Sequence, residues 1–342
     1  MGLLEAIGQG ADDATRATFG ALTAELHSGL ALYWETAGKI LDDSGIILHP
    51  PPSDYLVMEK NIFSTLFLYS YYAADIDPAR RTLYVAVNQC LRGMVTGCDN
   101  ILDDEYKQTL DTDLPSRAVR FRSIVDIMVS DRVIFELLLE MANTVPLAGN
   151  MIKDASAASL RALTRSGTQE ASEEGGVEDI PTPECVLQDI HHFKTGLLFQ
   201  CPWAVPDVIE TDLGPSDRDF KKHLYQIGIG CQLFDDIVDL ETDVREHHYN
   251  YVWSQIFHRA DGRVRQELQD AFTQPVTDQR LSNLHGSFPH IIADVAAEGQ
   301  SRLEEGLKGL LREGHRPLTA PLTSFLIRRI GADHFLQGTT VA

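Results

Sequence analysis

The stretch Cys231-Gln232-Leu233-Phe234-Asp235-Asp236-Ile237-Val238-Asp239-Leu240-Glu241-Thr242-Asp243 decides how the rest of the chain is read. It continues an apolar run that opens near Ser216, and its carboxylates recur at helical steps. At ~100° per residue, Gln232, Asp235, Asp236, Asp239 and Asp243 fall within an arc of roughly 100°. Like charges aligned in this way repel and raise one another's pKa unless cations lie among them. Burying an unpaired carboxylate is costly, so acids threaded through an apolar helix need a reason. Oxygen donors without His or Cys suit Mg²⁺, which takes a few carboxylates and completes its coordination with water and phosphate oxygens.

A second cluster, Asp99-Asn100-Ile101-Leu102-Asp103-Asp104-Glu105, ends another apolar run. Asp99 and Asp103 fall ~40° apart, with Asn100 close by, and Gln89, Arg92 and Thr96 carry the polar stripe back along the same face. Lys107 extends it forward. A solvated helix end accounts for one such cluster. Two of them, each set in an apolar helix, point to paired cation sites.

Elsewhere the pattern is helical and strand signals are almost absent. Apolar periodicity predicts helices over 11–37, 53–74, 78–106, 116–143 and 149–164, then from Thr182 to about Gln200 and from Ser216 to Val244. His49-Pro50-Pro51-Pro52 and Asp113-Leu114-Pro115 are breaks. Arg165–Glu178, rich in Ser, Gly and Glu, reads as a mobile loop. No repeat or composition shift divides the chain, so the expectation is one all-α domain over 1–342. Phe63, Phe67, Tyr69 and Tyr72 read as core, and the pairs His191-His192 and His247-His248 as surface or supporting residues.

With 29 Lys+Arg against 50 Asp+Glu, the net charge of −21 opposes nucleic acid and anionic lipid. Cys90, Cys98, Cys185, Cys201 and Cys231 have no CxxC spacing and fit a reducing compartment. The first residues lack the basic and apolar regions of a signal peptide, and no stretch reaches the length of a membrane span. A cytoplasmic protein without stable membrane insertion is expected. Metal ions would let so acidic a chain hold an anionic diphosphate.

Together with Lys194-Thr195-Gly196 and Gln232-xx-Asp235-Asp236-xx-Asp239, the paired Asp-rich helices resemble the trans-isoprenoid synthase superfamily, over a motif-bearing core of about 55–255. The resemblance implies a bundle of long helices around a deep apolar cavity. It also implies three Mg²⁺ ions at the mouth, which help draw diphosphate off a prenyl substrate and leave a carbocation. Asp99, Asp103, Asp235, Asp236 and Asp239 match metal-binding positions, and Asn100 replaces an Asp of the first motif. Lys194 matches the diphosphate-binding lysine, with Thr195, Gln232, Arg92, Lys60 and Arg245 as further diphosphate-binding candidates. Lys194, Asp99 and Asp235 are the catalytic candidates. Members of the superfamily often form homodimers.

The departures from the chain-elongating members are specific. Their Gly-Lys-Arg segment is Glu59-Lys60-Asn61 here, and Arg92 stands where they carry a His. Glu105-Tyr106-Lys107-Gln108 follows the first motif in place of an Arg pair, and Arg245-Glu246-His247-His248-Tyr249-Asn250 replaces a Gly-Lys-Pro-x-Gly run. A second diphosphate needs dedicated cations, and few of them remain. The sequence therefore favours a class I terpene synthase consuming one linear all-trans prenyl diphosphate. Medium-sized Leu91, Met94 and Val95 before Asp99 suggest C15 or C20. Chain elongation, head-to-head prenyl coupling and an inactive synthase-like subunit are the alternatives. A di-iron bundle is excluded for want of Glu-xx-His pairs.

Overall fold

A computed structural model describes residues 12–103, 106–144, 150–214, 219–273 and 283–335. Among them the only extended pairing is an antiparallel bridge between Leu48 and Thr112, and the remaining regular structure is helical. The chain divides into two compact units, Met1–Leu163 with Cys201–Phe220, and Thr164–Gln200 with Lys221–Ala342.

The first unit contains α1 (Asp13–Leu41), α2 (Ile62–Ala73), α3 (Pro78–Leu102), α4 (Val119–Thr144) and the opening of α5 (Met151–Glu173). Asp12 starts α1 by accepting from the Thr15 N–H at 2.7 Å, and Asp77 does the same for Ala79 at 2.9 Å, with Pro78 in the first turn. Residues 84–91 of α3 are all buried, which makes α3 the central helix of its unit. Its neighbours come close because glycines permit it. A Cβ on Gly29 of α1 would lie 2.6 Å from the Thr82 carbonyl, and one on Gly97 of α3 would lie 2.9 Å from that of Ser123. Polar groups taken inside are paired. Arg81 forks onto Glu25 at 2.8 and 2.5 Å, and the Tyr71 hydroxyl donates to the Pro202 carbonyl at 2.7 Å.

Two predicted helix boundaries move here, each for a visible reason. The helix expected from Ser53 begins at Ile62, after a 3₁₀ turn Met58–Asn61. Asn61 donates to the carbonyls of Tyr55 and Val57 at 2.7 and 3.0 Å and fastens residues 55–61 as a turn. The helix expected to reach Tyr106 stops at Leu102. Asn100, fully buried, accepts from the Lys107 N–H at 2.7 Å and donates to its carbonyl at 3.0 Å, folding the chain back.

The second unit contains the rest of α5, then α6 (Phe220–Val238), α7 (Leu240–Glu246), α8 (Tyr251–Arg259), α9 (Gly262–Phe272), α10 (Pro289–Leu310) and α11 (Thr319–Ile330). Residues 227–234 of α6 are buried without interruption. A Cβ on Gly230 would stand 3.0 Å from the Gly299 carbonyl of α10, and one on Gly306 would stand 2.7 Å from that of His223. Before α6, the chain passes through the π-helical turns Val186–Ile190 and His192–Leu197.

Two expectations are corrected in this unit. The segment read as a mobile loop, 165–178, is helical as far as Glu173 and turns only at Gly175 and Gly176, both with positive φ. The buried positions of its helical part, Ser166 and Glu173, are polar, so hydropathy was silent about the helix. The single helix expected over 216–244 is broken at Asp239, which caps α7. No described helix is long and apolar enough to cross a membrane.

Candidate active site

Carboxylates that a helical wheel places on one arc differ in burial. Asp236 points inward and is 1 % exposed, whereas the side chains of Asp235 and Asp239 are exposed. Both oxygens of Asp236 are engaged. His191 Nε2 lies 2.7 Å from Oδ2, the Tyr251 N–H donates to Oδ2 at 2.6 Å, and the Gln232 amide donates to Oδ1 at 2.8 Å. Burial opposes its charge, but His191, Gln232 and the Tyr251 N–H outweigh that and hold its pKa below the ordinary carboxylate value. Gln232 also reaches Asp235 Oδ2 at 3.3 Å, and its carbonyl oxygen accepts the Thr195 hydroxyl. Asp236 thus organises the motif from behind, while Asp235 and Asp239 face outward.

Asp235 behaves differently. Desolvation by the surrounding protein, then repulsion from Asp236 and Asp239, pushes its pKa up to about 6 against the pull of Lys194 and Gln232. Asp243 is pushed to about 8 by burial and by Asp236, although the Asn250 amide donates to it at 2.8 Å. These are carboxylates short of positive charge. Their place in the fold sharpens this: Asp235 and Asp236 sit in the last turn of α6, and Asp99 in the last turn of α3 with Asp103 as its C-cap. The negative end of a helix dipole disfavours acids there and favours cations.

Lys194 lies in the π-helical stretch, a deviation that recurs at functional sites. Its ammonium is 3.3 Å from Glu170 and 3.6 Å from Glu173. Partial burial works against its charge, but Glu170, Glu173, Asp236 and Asp243 overcome this and lift its pKa above the ordinary value. Glu173, 4 % exposed, also accepts from the Tyr249 N–H at 3.1 Å. Sequence reasoning missed Glu170 and Glu173 by placing them in a loop. Their i,i+3 spacing on a continued α5 was the available signal. His191 was read as surface or supporting, and it is a buried supporting residue with no partner at Nδ1.

In the first unit, Lys60 and Arg92 line one cleft of about 220 Å³ with Asn61, Gln89, Gln108 and Thr109. Arg92 donates to Asn61 at 3.1 Å, and Lys60 pairs with Asp54, which shares the cleft with Asp111. Arg245, in the last turn of α7, is exposed. Asn100, with its amide committed to Lys107, is a structural residue whose donor function an aspartate could not supply. Asp104 and Glu105 lie outside the described residues.

Among the described residues no three His, Cys, Asp or Glu side chains converge as an all-protein metal cage. Asp99, Asp103 and Asp235 offer hard oxygen donors at dipole-negative helix ends, and Asp239 offers one at the N-cap of α7. Asp236 has both oxygens hydrogen-bonded, Oδ1 by the Gln232 amide alone.

The chain has the fold of the trans-isoprenoid, or polyprenyl, synthase superfamily. It is similar to a geranylgeranyl pyrophosphate synthetase from Pyrococcus horikoshii, at 18 % identity and a TM-score of 0.62 over 91 % of this chain and 99 % of that one. A geranylgeranyl pyrophosphate synthase from Lactobacillus brevis gives 15 % identity and a TM-score of 0.62 over 92 % and 98 %. An octaprenyl pyrophosphate synthase from Helicobacter pylori gives 13 % and 0.56 over 92 % and 99 %. No protein-family model and no curated protein matches the sequence.

Proposed function

We propose that the chain is a Mg²⁺-dependent prenyl diphosphate synthase that extends an allylic diphosphate, rather than the cyclase its missing motifs suggested. The observation that carries this reading is the cleft shared by Lys60 and Arg92, which gathers cations of the kind a second diphosphate requires. The similar structures support it, since they are geranylgeranyl and octaprenyl pyrophosphate synthases.

Bound Mg²⁺ would supply the positive charge that lets an acidic protein hold a diphosphate, with Asp99 and Asp103 of the first unit and Asp235 and Asp239 of the second as the candidate ligands. As the allylic C–O bond breaks, its electron pair leaves on oxygen, and the Lys194 ammonium stabilises the charge growing there. Gln232, fixed by Asp236 and Thr195, keeps Asp235 oriented. Lys60 and Arg92 bind the diphosphate group of isopentenyl diphosphate, whose alkene attacks the allylic cation; the new cation then loses a proton to the released diphosphate and the double bond is restored.

One observation favours the cyclase as a second reading. Lys60 is already paired with Asp54, and Asp111 adds a further carboxylate to the same cleft. The discriminating experiment supplies pure protein and Mg²⁺ with C5, C10, C15 and C20 allylic diphosphates, each with and without isopentenyl diphosphate. Elongation predicts longer prenyl diphosphates only when isopentenyl diphosphate is present. A hydrocarbon or terpene alcohol from one allylic diphosphate alone would replace this reading with the cyclase.

A further inference from the structure

The second acidic motif runs through a break in the helix: α6 ends at Val238 and Asp239 caps α7, so Asp235 lies before the break and Asp239 at it. A helix end leaves carbonyls without intrahelical partners. Those of the last turn of α6 are taken up one after another. The Asp235 carbonyl accepts the Asp239 N–H at 2.8 Å, and the Asp236 carbonyl accepts the Asn250 amide at 2.8 Å. The Ile237 carbonyl lies 2.5 Å from His285 Nε2. A carbonyl only accepts, so Nε2 carries the proton and donates, as a basic side chain at a helix C-terminus commonly does.

His285 belongs to the helical turn Leu284–Ser287, which reaches α7 as well. The Leu284 N–H donates to Glu241 Oε1 at 2.9 Å, and His285 Nδ1 faces the same oxygen at 3.5 Å. One turn of chain thus grips α6 on one side of the break and α7 on the other. Its own geometry is specific. Asn283 enters it in the left-handed region at φ 64°, and a Cβ on Gly286 would lie 2.5 Å from Asn283 Oδ1. The Phe335 ring stacks on His285 with centroids 5.0 Å apart, which fixes the plane of the imidazole.

We propose that His285 is a positioning residue: by joining the end of α6 to the start of α7 it sets the spacing of Asp235 and Asp239, the two exposed carboxylates of the motif. It acts through the backbone, because Ile237 lies midway between them in sequence. Binding groups displaced by about 1 Å lose up to ~100-fold in function, far more than one hydrogen bond contributes to stability. Mg²⁺ and diphosphate as the ligands of these carboxylates rest on the function proposed above; the grip of His285 on the break does not.

Two substitutions separate the donor from the ring. His285→Gln keeps an N–H where Nε2 stood and loses the ring, whereas His285→Phe keeps a ring against Phe335 and loses the donor. Amide exchange on the full chain without metal reads the break directly. In His285→Phe the Asp239 amide should exchange at least ~10-fold faster than in the wild type, and in His285→Gln within ~3-fold of it. The Mg²⁺-dependent affinity for inorganic diphosphate, measured by calorimetry, should fall at least ~10-fold in His285→Phe and hold in His285→Gln. A role in stability alone would lower the melting temperature of both variants and leave Asp239 exchanging in step with the rest of its unit. Wild-type exchange at Asp239 in His285→Phe would overturn the proposal. So would equal loss of diphosphate affinity in both variants, or unchanged affinity in a variant whose break has loosened. A wild type that binds no diphosphate with Mg²⁺ removes the proposed function instead, and the exchange rates still decide whether His285 holds the break.

Discussion

At the scale of single residues, adjacent carboxylates in one motif have opposite fates. Asp235, Asp236 and Asp239 were legible as carboxylates sharing one arc of a helix. The role of Asp236 was not, because its partners His191 and Tyr251 lie far from it in sequence and a wheel shows only one helix. Asn100 was legible as a departure, but its clasp on Lys107 became visible only with the turn in place. Lys194 carries a direct prediction. Lys194→Ala should lower turnover by at least ~100-fold with little change in melting temperature, since the lost charge acts on the departing diphosphate. Lys194→Arg should restore little of it, because a planar fork does not replace a point charge seated between Glu170 and Glu173. Steady-state kinetics beside a thermal melt checks both. A second prediction concerns Asp126 of α4, which is 2 % exposed, has no partner at Oδ2 and is pushed to about 6 by burial, against the pull of Thr109 and Arg122. The folded protein holds this proton after the unfolded chain has released its own, so unfolding between pH ~4 and ~6 releases a proton. Stability from this group is therefore full below pH ~4 and lost as pH rises through ~6, a difference on the order of 3 kcal/mol. Asp126→Asn should raise the melting temperature at pH ~8 and leave it nearly unchanged at pH ~4, which calorimetry at the two values would show.

At the scale of elements, helices with apolar periodicity were readable and those with polar buried faces were not. α3 and α6 announced themselves as central through unbroken apolar runs. The second half of α5 hid behind Ser166 and Glu173, buried positions that hydropathy scores as solvent. The π-helical turns carrying Lys194 have no periodic signature, because the wide turn shifts the phase of every residue after it. Gly196 lies there with the Tyr225 ring against its Cα, and a Cβ would overlap the ring. Gly196→Ala should therefore cost about 2 kcal/mol of stability and, by displacing Lys194 and Thr195, reduce activity more than that loss alone predicts. A melt together with inorganic diphosphate binding would separate the two effects. Unaltered diphosphate affinity in a destabilised variant would show that the wide turn positions neither residue.

At the scale of the whole molecule, the acidic composition and the site point the same way. A chain of net charge −21 repels a diphosphate until divalent cations intervene. Inorganic diphosphate should thus raise the melting temperature with Mg²⁺ present and leave it unmoved in excess chelator, as linkage requires of a ligand that needs its metal. An equal shift in chelator would remove the carboxylates from diphosphate binding. Composition fixed the sign of this expectation, but the gathering of Lys60 and Arg92 needed the fold, because they come from different helical segments. The bridge between Leu48 and Thr112 has a kinetic meaning. It is reinforced by His49 N–H to the Asp111 carbonyl at 2.8 Å and Asp113 N–H to that of Ile47 at 3.1 Å, and it closes a loop that contains α2, α3 and the first acidic cluster. Contacts so distant along the chain form late in folding and open as a unit. The amide protons of His49 and Asp113 are therefore natural reporters: their exchange with deuterated solvent times the opening of that loop, and with it the dispersal of the first Asp-rich helix end.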